Sequence, residues 1–298
     1  MDRMKGKVAL VTGSGRGFGR TMALSYAQEG AKVVLVSRTK SELEDTATKI
    51  RDSGGECMII PADLVNEDEI YNIKDQILAN YGKLNVLVNN AAYNPRKNLE
   101  NTSVEIWDRA MALNLRAPFI LSKIFQETMK NQGGGSIINL SSGSATKGFV
   151  YEMVYCPSKY GIEGLSQCLA MELKSQNIAV NTLTVSAPSG KSLKPGALTL
   201  EELKYLPQKL GEEYADDESM VEAFTDAWVF LGLQDGSGVT GQRFVTRELA
   251  EYLQRNGWEA AVANWRGKLR KVVYVTYDFP KIERYRIQDH TWREFKFE

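Results

Sequence analysis

The chain has one histidine, His290, and three cysteines, Cys57, Cys156 and Cys168, among 298 residues. A single histidine near the C-terminus excludes a His/Cys zinc site and a histidine-based catalytic triad in the main body of the chain. An odd, irregularly spaced set of cysteines is not a disulfide framework and fits thiols in a reducing cytoplasm. Net charge is also missing: 37 Lys and Arg balance 37 Asp and Glu, so no overall field draws the protein to nucleic acid or a membrane. No apolar run approaches the ~18 residues of a membrane span. The first run, Val8–Val11, is too short for a signal sequence and reads as a strand. There are no internal repeats and no low-complexity segments.

What is present is strand–helix alternation. Short β-branched runs at residues 7–12, 32–36, 57–61, 86–89, 136–140 and 179–184 alternate with amphipathic stretches at 17–29, 40–53, 67–81, 103–131 and from 155 onward. Near-continuous apolar strands between helices predict an α/β protein: a Rossmann-like, doubly wound parallel sheet of about seven strands with helices on both faces. Such sheets bind ligands beyond the carboxyl ends of their strands. Residues 241–245 read as the last strand. The organisation expected is a catalytic domain over 1–245 and a C-terminal extension over 246–298, a candidate contact to a second subunit. In that extension Thr246 is expected to cap a helix, Trp258–Trp265 to form another, and Lys271–Tyr277 to alternate like a strand. Pro188 to about Glu222, with its acidic patch (Glu212, Glu213, Asp216, Asp217, Glu218), reads as a lid or as a solvated loop and helix.

The first strand runs into Thr12-Gly-Ser-Gly-Arg-Gly-Phe-Gly19. Glycines at a strand-to-helix turn let the backbone approach a pyrophosphate, and the helix N-terminus supplies amide donors. About 20 residues on, an NAD binder places an acidic residue against the ribose. This chain has Ser37-Arg38-Thr39 there, and Arg16 in the glycine turn. Guanidinium and hydroxyl groups suit a 2′-phosphate, which favours NADP(H) over NAD(H). Tyr155 and Lys159 stand four apart, on one face of a helix in which Pro157 is tolerable within the first turn. An ammonium beside a phenol lowers the phenol's pKa and suits it to exchange a proton with a carbonyl or alcohol oxygen. Tyr93 with Lys97 and Tyr205 with Lys209 share the spacing, but Pro95 and Pro207 disfavour the helix the geometry needs.

With Thr12-Gly13…Gly17-x-Gly19, Asp63-Leu64, Asn89-Asn-Ala-Ala92, Asn114, Leu140-Ser-Ser142 and Tyr155…Lys159 in this order, the chain resembles the short-chain dehydrogenase/reductase family over about residues 5–245. The resemblance implies that Tyr155 is the general acid/base and that Lys159 lowers its pKa and holds the nicotinamide ribose. It makes Ser142 the group that binds the substrate oxygen, and Asn114 the anchor of a water leading to Lys159. To the candidate cofactor contacts Gly13, Arg16, Gly17, Phe18, Gly19, Ser37, Arg38 and Thr39 it adds Asp63 and Leu64 at the adenine and Asn89 with Ala91 at the adenosine ribose. It implies a homodimer or homotetramer acting on a small carbonyl or alcohol substrate. The chain departs from the family at Ala92, where glycine is usual. It departs again after the sixth strand, where the usual Pro-Gly and threonine are missing and Ser189 and Ser192 are candidates for the carboxamide. Phe149, Tyr151 and Met153 are expected at the substrate mouth, with Cys156 as packing. A non-catalytic NADP(H)-binding sensor or scaffold is the alternative to the oxidoreductase, and an epimerase or dehydratase a third reading.

Overall fold

The computed structural model describes residues 2–191, 215–270, 282–286 and 292–296. The expected strand at 271–277, His290, Glu212, Glu213, Ser192 and the Tyr205–Lys209 pair lie outside the described residues. The main sheet holds β1 (Val8–Thr12), β2 (Lys32–Ser37), β3 (Glu56–Pro61), β4 (Val86–Asn89), β5 (Gly135–Ser141), β6 (Ile178–Thr184) and β7 (Arg243–Val245). All seven are parallel, in the order β3-β2-β1-β4-β5-β6-β7. The order reverses between β1 and β4, and a crevice opens at such a switch point. β1, β4 and β5 are buried at every position, as apolar runs with helices on both sides require.

Two apolar layers flank the sheet. One lies under α1 (Gly17–Gln28), α2 (Lys40–Asp52) and α7 (Asp217–Gly232), with Tyr26, Leu43, Trp228 and Phe230 at its centre. The other lies under α3 (Glu67–Tyr81), α5 (Ala117–Asn131) and α6 (Tyr155–Leu173), with Ile73, Ile77, Leu121 and Phe125. Helix ends follow their capping residues. Asn66 accepts the Asp68 N–H at the start of α3, and Gly82 closes it at φ 65°. Asp216 and Ser219 form a capping box that starts α7, so Asp216, Asp217 and Glu218 of the acidic patch are a helix N-terminus. Asp217 reaches Lys49 at 2.8 Å and Arg20 at 3.6 Å, which ties α7 to α2 and α1.

The helix expected over 103–131 is interrupted. α4 (Val104–Met111) passes through a π-helical turn, Ala112–Arg116, before α5 begins. Pro118 is the cause. In an α-helix its ring would collide with the carbonyl four residues back, that of Asn114, and it has no N–H to donate there. The wider turn, with the Ala117 N–H bonded to the Ala112 carbonyl, relieves that collision.

α8 (Thr246–Trp265) breaks at Gly257, φ 78°, where the sequence predicts a stop. Thr246 does not cap it. Its hydroxyl instead donates to the Thr184 carbonyl at 3.2 Å, tying α8 to the end of β6. The helix packs back on its own chain: Trp258 stands edge-on to Phe230, Trp265 edge-on to Phe244, and Leu249 and Leu253 join the α7 layer. Beyond it, β8 (Ile282–Arg286) and β9 (Trp292–Lys296) pair antiparallel. No helix among the described residues is long and apolar enough to cross a membrane.

Candidate active site

The carboxyl ends of β1, β2, β4, β5 and β6 border one cleft of about 420 Å³. At its floor lies the glycine turn, and its shape is set from behind. The Thr12 hydroxyl donates to the Val88 carbonyl and accepts the N–H groups of Asn90 and Ala91. The Asn90 amide donates to the carbonyls of Thr12 (2.8 Å) and Gly13 (3.2 Å). Arg20, almost fully buried, donates to the Gly15 carbonyl. Gly13 and Gly17 have φ of 65° and 56°, left-handed values that favour glycine. A Cβ on Gly13 would stand 2.8 Å from Asn90 Nδ2, and one on Gly19 would collide with the Gly13 carbonyl. Side chains are thus excluded at Gly13 and Gly19, on either side of the start of α1. A pyrophosphate fits such a cradle.

Gly13, Arg16, Gly17 and Phe18 line the cleft, whereas Gly19 lies beneath it as a packing residue. Ser37, Arg38 and Thr39 line it at the end of β2. Glu42, which the sequence reading missed, lines it too and pairs with Arg16 at 3.6 Å. Asp63 and Leu64 form another wall, with the Asp63 carboxylate held by Arg109 at 3.0 Å. Ala91 and Ala92 line the cleft, but the Asn89 side chain does not. It is buried in the sheet, donating to Asn139 Oδ1 at 2.7 Å, and its neighbour Asn90 faces the turn instead. In the tandem Asn-Asn, strand alternation decides which member turns outward.

Ser142, Tyr155 and Lys159 converge at the end of β5. Ser142 follows the strand directly, and Tyr155 and Lys159 lie one turn apart at the start of α6. Lys159 Nζ sits 5.3 Å from the centre of the Tyr155 ring and donates to the Leu140 carbonyl at 2.7 Å. Burial drives the ammonium down to about 8, partly countered by the negative charge of Glu163. The tyrosine behaves otherwise than the sequence predicts. Burial, with the Glu152 charge adding to it, pushes the phenol up to about 12, against a hydrogen bond with Ser142 and the charge of Arg96.

Asn114 is buried at the π-helical turn. Its amide accepts the Tyr93 N–H at 2.8 Å, donates to the Tyr93 carbonyl, and donates to Ser158 Oγ at 3.0 Å. It therefore fastens the loop after β4 to the first turn of α6, and Ser158 in turn donates to the Tyr155 carbonyl at 2.8 Å. Tyr93 and Lys97 lie in that loop, outside any helix.

Three further findings depart from expectation. Ser189 is exposed and absent from the cleft wall, where Thr184 and Val185 stand instead. Phe149, Tyr151 and Met153 do not line the cleft, whereas Glu152 does. Tyr151 has φ 62°, a left-handed value in the turn that carries Glu152. Finally, Arg243 of β7 reaches across β6, donating to the Ser142 carbonyl at 2.8 Å and standing 3.3 Å from Glu163. Glu163 also accepts the hydroxyls of Ser141 and Thr182. This half-buried ion pair fixes the peptide that carries Ser142. The only sequence signal for it was a charge inside an apolar strand.

Fold and cleft together are of the dinucleotide-binding Rossmann type. A family profile described as short chain dehydrogenase matches residues 7–190. The chain is similar to an uncharacterized oxidoreductase of Thermotoga maritima, 37% identical over 189 residues, covering 63% of this chain and 74% of the relative. It is also similar to an NAD-dependent glycerol dehydrogenase of Listeria innocua, 31% identical over 204 residues, covering 67% of this chain and 79% of the relative. Among solved structures, a metagenomic short-chain oxidoreductase in complex with NADP superposes with a TM-score of 0.67 at 27% identity, covering 82% of this chain and 97% of the other. The chain belongs to the short-chain dehydrogenase/reductase family and is an NAD(P)-dependent oxidoreductase.

Proposed function

We propose that the protein interconverts a carbonyl and a secondary alcohol, with Tyr155 as general acid/base and NADP(H) as the hydride carrier. The observation that carries this reading is the convergence of Ser142, Tyr155 and Lys159 on the same cleft as the glycine turn. When bound, the dinucleotide supplies or accepts the hydride at its nicotinamide. In the reducing direction the carbonyl carbon gains two electrons with that hydride, the π pair moves to oxygen, and the oxygen takes the phenolic proton of Tyr155. A phenol pushed up to about 12 is protonated at neutral pH, as a proton donor must be. Ser142 donates to the developing oxyanion. Lys159 keeps a positive charge beside the ring and close to where the nicotinamide ribose would lie. Asn114 acts by holding Tyr93 and Ser158 in place. Asp63, Leu64, Ala91 and the backbone at Asn89 would border the adenosine; Ser189 is not a cleft residue in this arrangement.

The preference for NADP(H) rests on Arg16 in the glycine turn and on Ser37, Arg38 and Thr39 at the end of β2. Glu42 opposes it by competing for Arg16. NADPH is therefore expected to bind about tenfold more tightly than NADH, a modest margin for two guanidinium groups. Arg38→Leu should remove most of that margin, and Glu42→Gln should widen it. Titration of each variant with both dinucleotides, followed by nicotinamide fluorescence, reads the ratio directly. Equal affinities unchanged by Arg38→Leu would count against the preference.

A homo-oligomer is proposed on the outer face of α4, α5 and α6. There Trp107, Phe119 and Tyr160 are exposed, beside a hollow of about 950 Å³ lined by Met111, Leu115 and Leu165. Apolar surface of that kind marks an interface. A cytoplasmic location is proposed from the free thiols of Cys57, Cys156 and Cys168.

A further inference from the structure

Beside Tyr155 the cleft is walled by charge and hydroxyl groups: Asn94, Arg96, Ser142, Ser144 and Glu152. Two loops supply them, and backbone strain fixes both. Arg96 and Tyr151 have φ of 50° and 62°, an uncommon state for residues with side chains, and such strain gathers at functional sites. A parallel β-bridge between Lys97 and Glu152 locks one loop to the other. The Glu152 carboxylate is thereby held two hydrogen bonds from the Ser142 hydroxyl. Ser142 Oγ donates to Ser144 Oγ at 3.1 Å, and Ser144 Oγ donates to Glu152 Oε2 at 2.6 Å. Asn94 donates to the other oxygen at 3.3 Å, and the Cys156 thiol lies 3.7 Å from Oε2. A carboxylate has about four acceptor positions, so these donors leave room for a ligand's.

We propose that Glu152 is a specificity-determining residue, accepting a hydroxyl borne on the carbon next to the reacting carbonyl of a small neutral substrate. In this arrangement the carbonyl oxygen bonds to Ser142 and Tyr155, and the neighbouring hydroxyl bonds to the carboxylate. An apolar group there would strip water from Glu152 and return nothing. A carboxylate substituent would meet like charge. An ammonium would meet Arg96 on the same wall. A hydroxyl donates to the one charge and accepts from the other.

This inference rests on the hydride-transfer reading, and its test separates the two. Reduction by NADPH is measured for acetone, hydroxyacetone, aminoacetone and pyruvate, and for cyclohexanone and its α-hydroxy derivative. The hydroxylated member is expected to exceed its plain parent by about 100-fold in kcat/KM, since a site built for a hydroxyl rejects the analogue lacking it. Glu152→Gln keeps an oxygen for Ser144 but loses the charge, and should cut that ratio about tenfold; Glu152→Ala should erase it. Competition between propylene glycol and isopropanol for oxidation reads the same preference in the reverse direction. No preference in the wild type, a preference for the ammonium or carboxylate member, or a ratio unmoved in both variants would overturn the role of Glu152. Failure to reduce any member with the dinucleotide bound would overturn the hydride-transfer reading itself.

Discussion

Replacing Tyr155 with phenylalanine is expected to lower kcat by roughly 10³-fold, within the ~10²–10⁴ that positioned proton transfer contributes. The ring and its packing survive the change, as does the ammonium of Lys159 at 5.3 Å from the ring centre. Only the hydroxyl is lost, and with it the proton donor and the partner of Ser142. Dinucleotide affinity should therefore hold within about twofold, because the glycine turn is fastened by Thr12, Asn90 and Arg20 rather than by Tyr155. Steady-state kinetics beside a fluorescence titration checks both halves. Substantial retained turnover would remove Tyr155 from the chemistry.

The second large effect is a gain in stability. Lys159 is almost fully buried, and its folded-state pKa falls from 10.5 to about 8. Between those values the unfolded chain holds a proton that the folded chain has released, so stability rises with pH across that window. Below about pH 8 the folded protein bears the whole cost of a buried ammonium, roughly 3 kcal/mol at about 1.4 per pKa unit. Lys159→Met removes that cost but leaves the Leu140 carbonyl without its donor, which takes back ~1 kcal/mol. The variant should be more stable than the wild type by roughly 2 kcal/mol at pH 7, while turnover is lost. The gain should shrink as pH rises from 8 and reverse by ~1 kcal/mol above pH 10.5, where only the lost hydrogen bond to Leu140 remains. Urea denaturation at both pH values measures it, and a variant less stable at pH 7 would refute the assigned burden.

The parallel sheet was legible because its strands are buried on both faces and read as unbroken apolar runs. The glycine turn and the Tyr155–Lys159 pair were legible because a turn and a helix face are local. What escaped the sequence depends on contacts made at a distance or on a single backbone angle. Glu152, and not Phe149, Tyr151 or Met153, faces the cleft, in a turn whose backbone passes through a positive φ at Tyr151. The π-helical turn required reading Pro118 against the carbonyl of Asn114, whose side chain then binds Tyr93 and Ser158. Arg243 meets Ser142 only because β7 lies beside β6. The Tyr155 phenol was expected to fall toward neutrality beside an ammonium. Burial and Glu152 raise it instead, against Ser142 and Arg96, and the hydroxyl holds its proton more tightly.

The central claim is that hydride and proton meet one substrate carbonyl at Ser142 and Tyr155. It is tested most directly by following NADPH deuterated at the nicotinamide in single turnovers with the ketone panel, the products being read by mass spectrometry. One deuterium should appear on the former carbonyl carbon with wild-type protein. Saturated dinucleotide with no label in any product would contradict the claim.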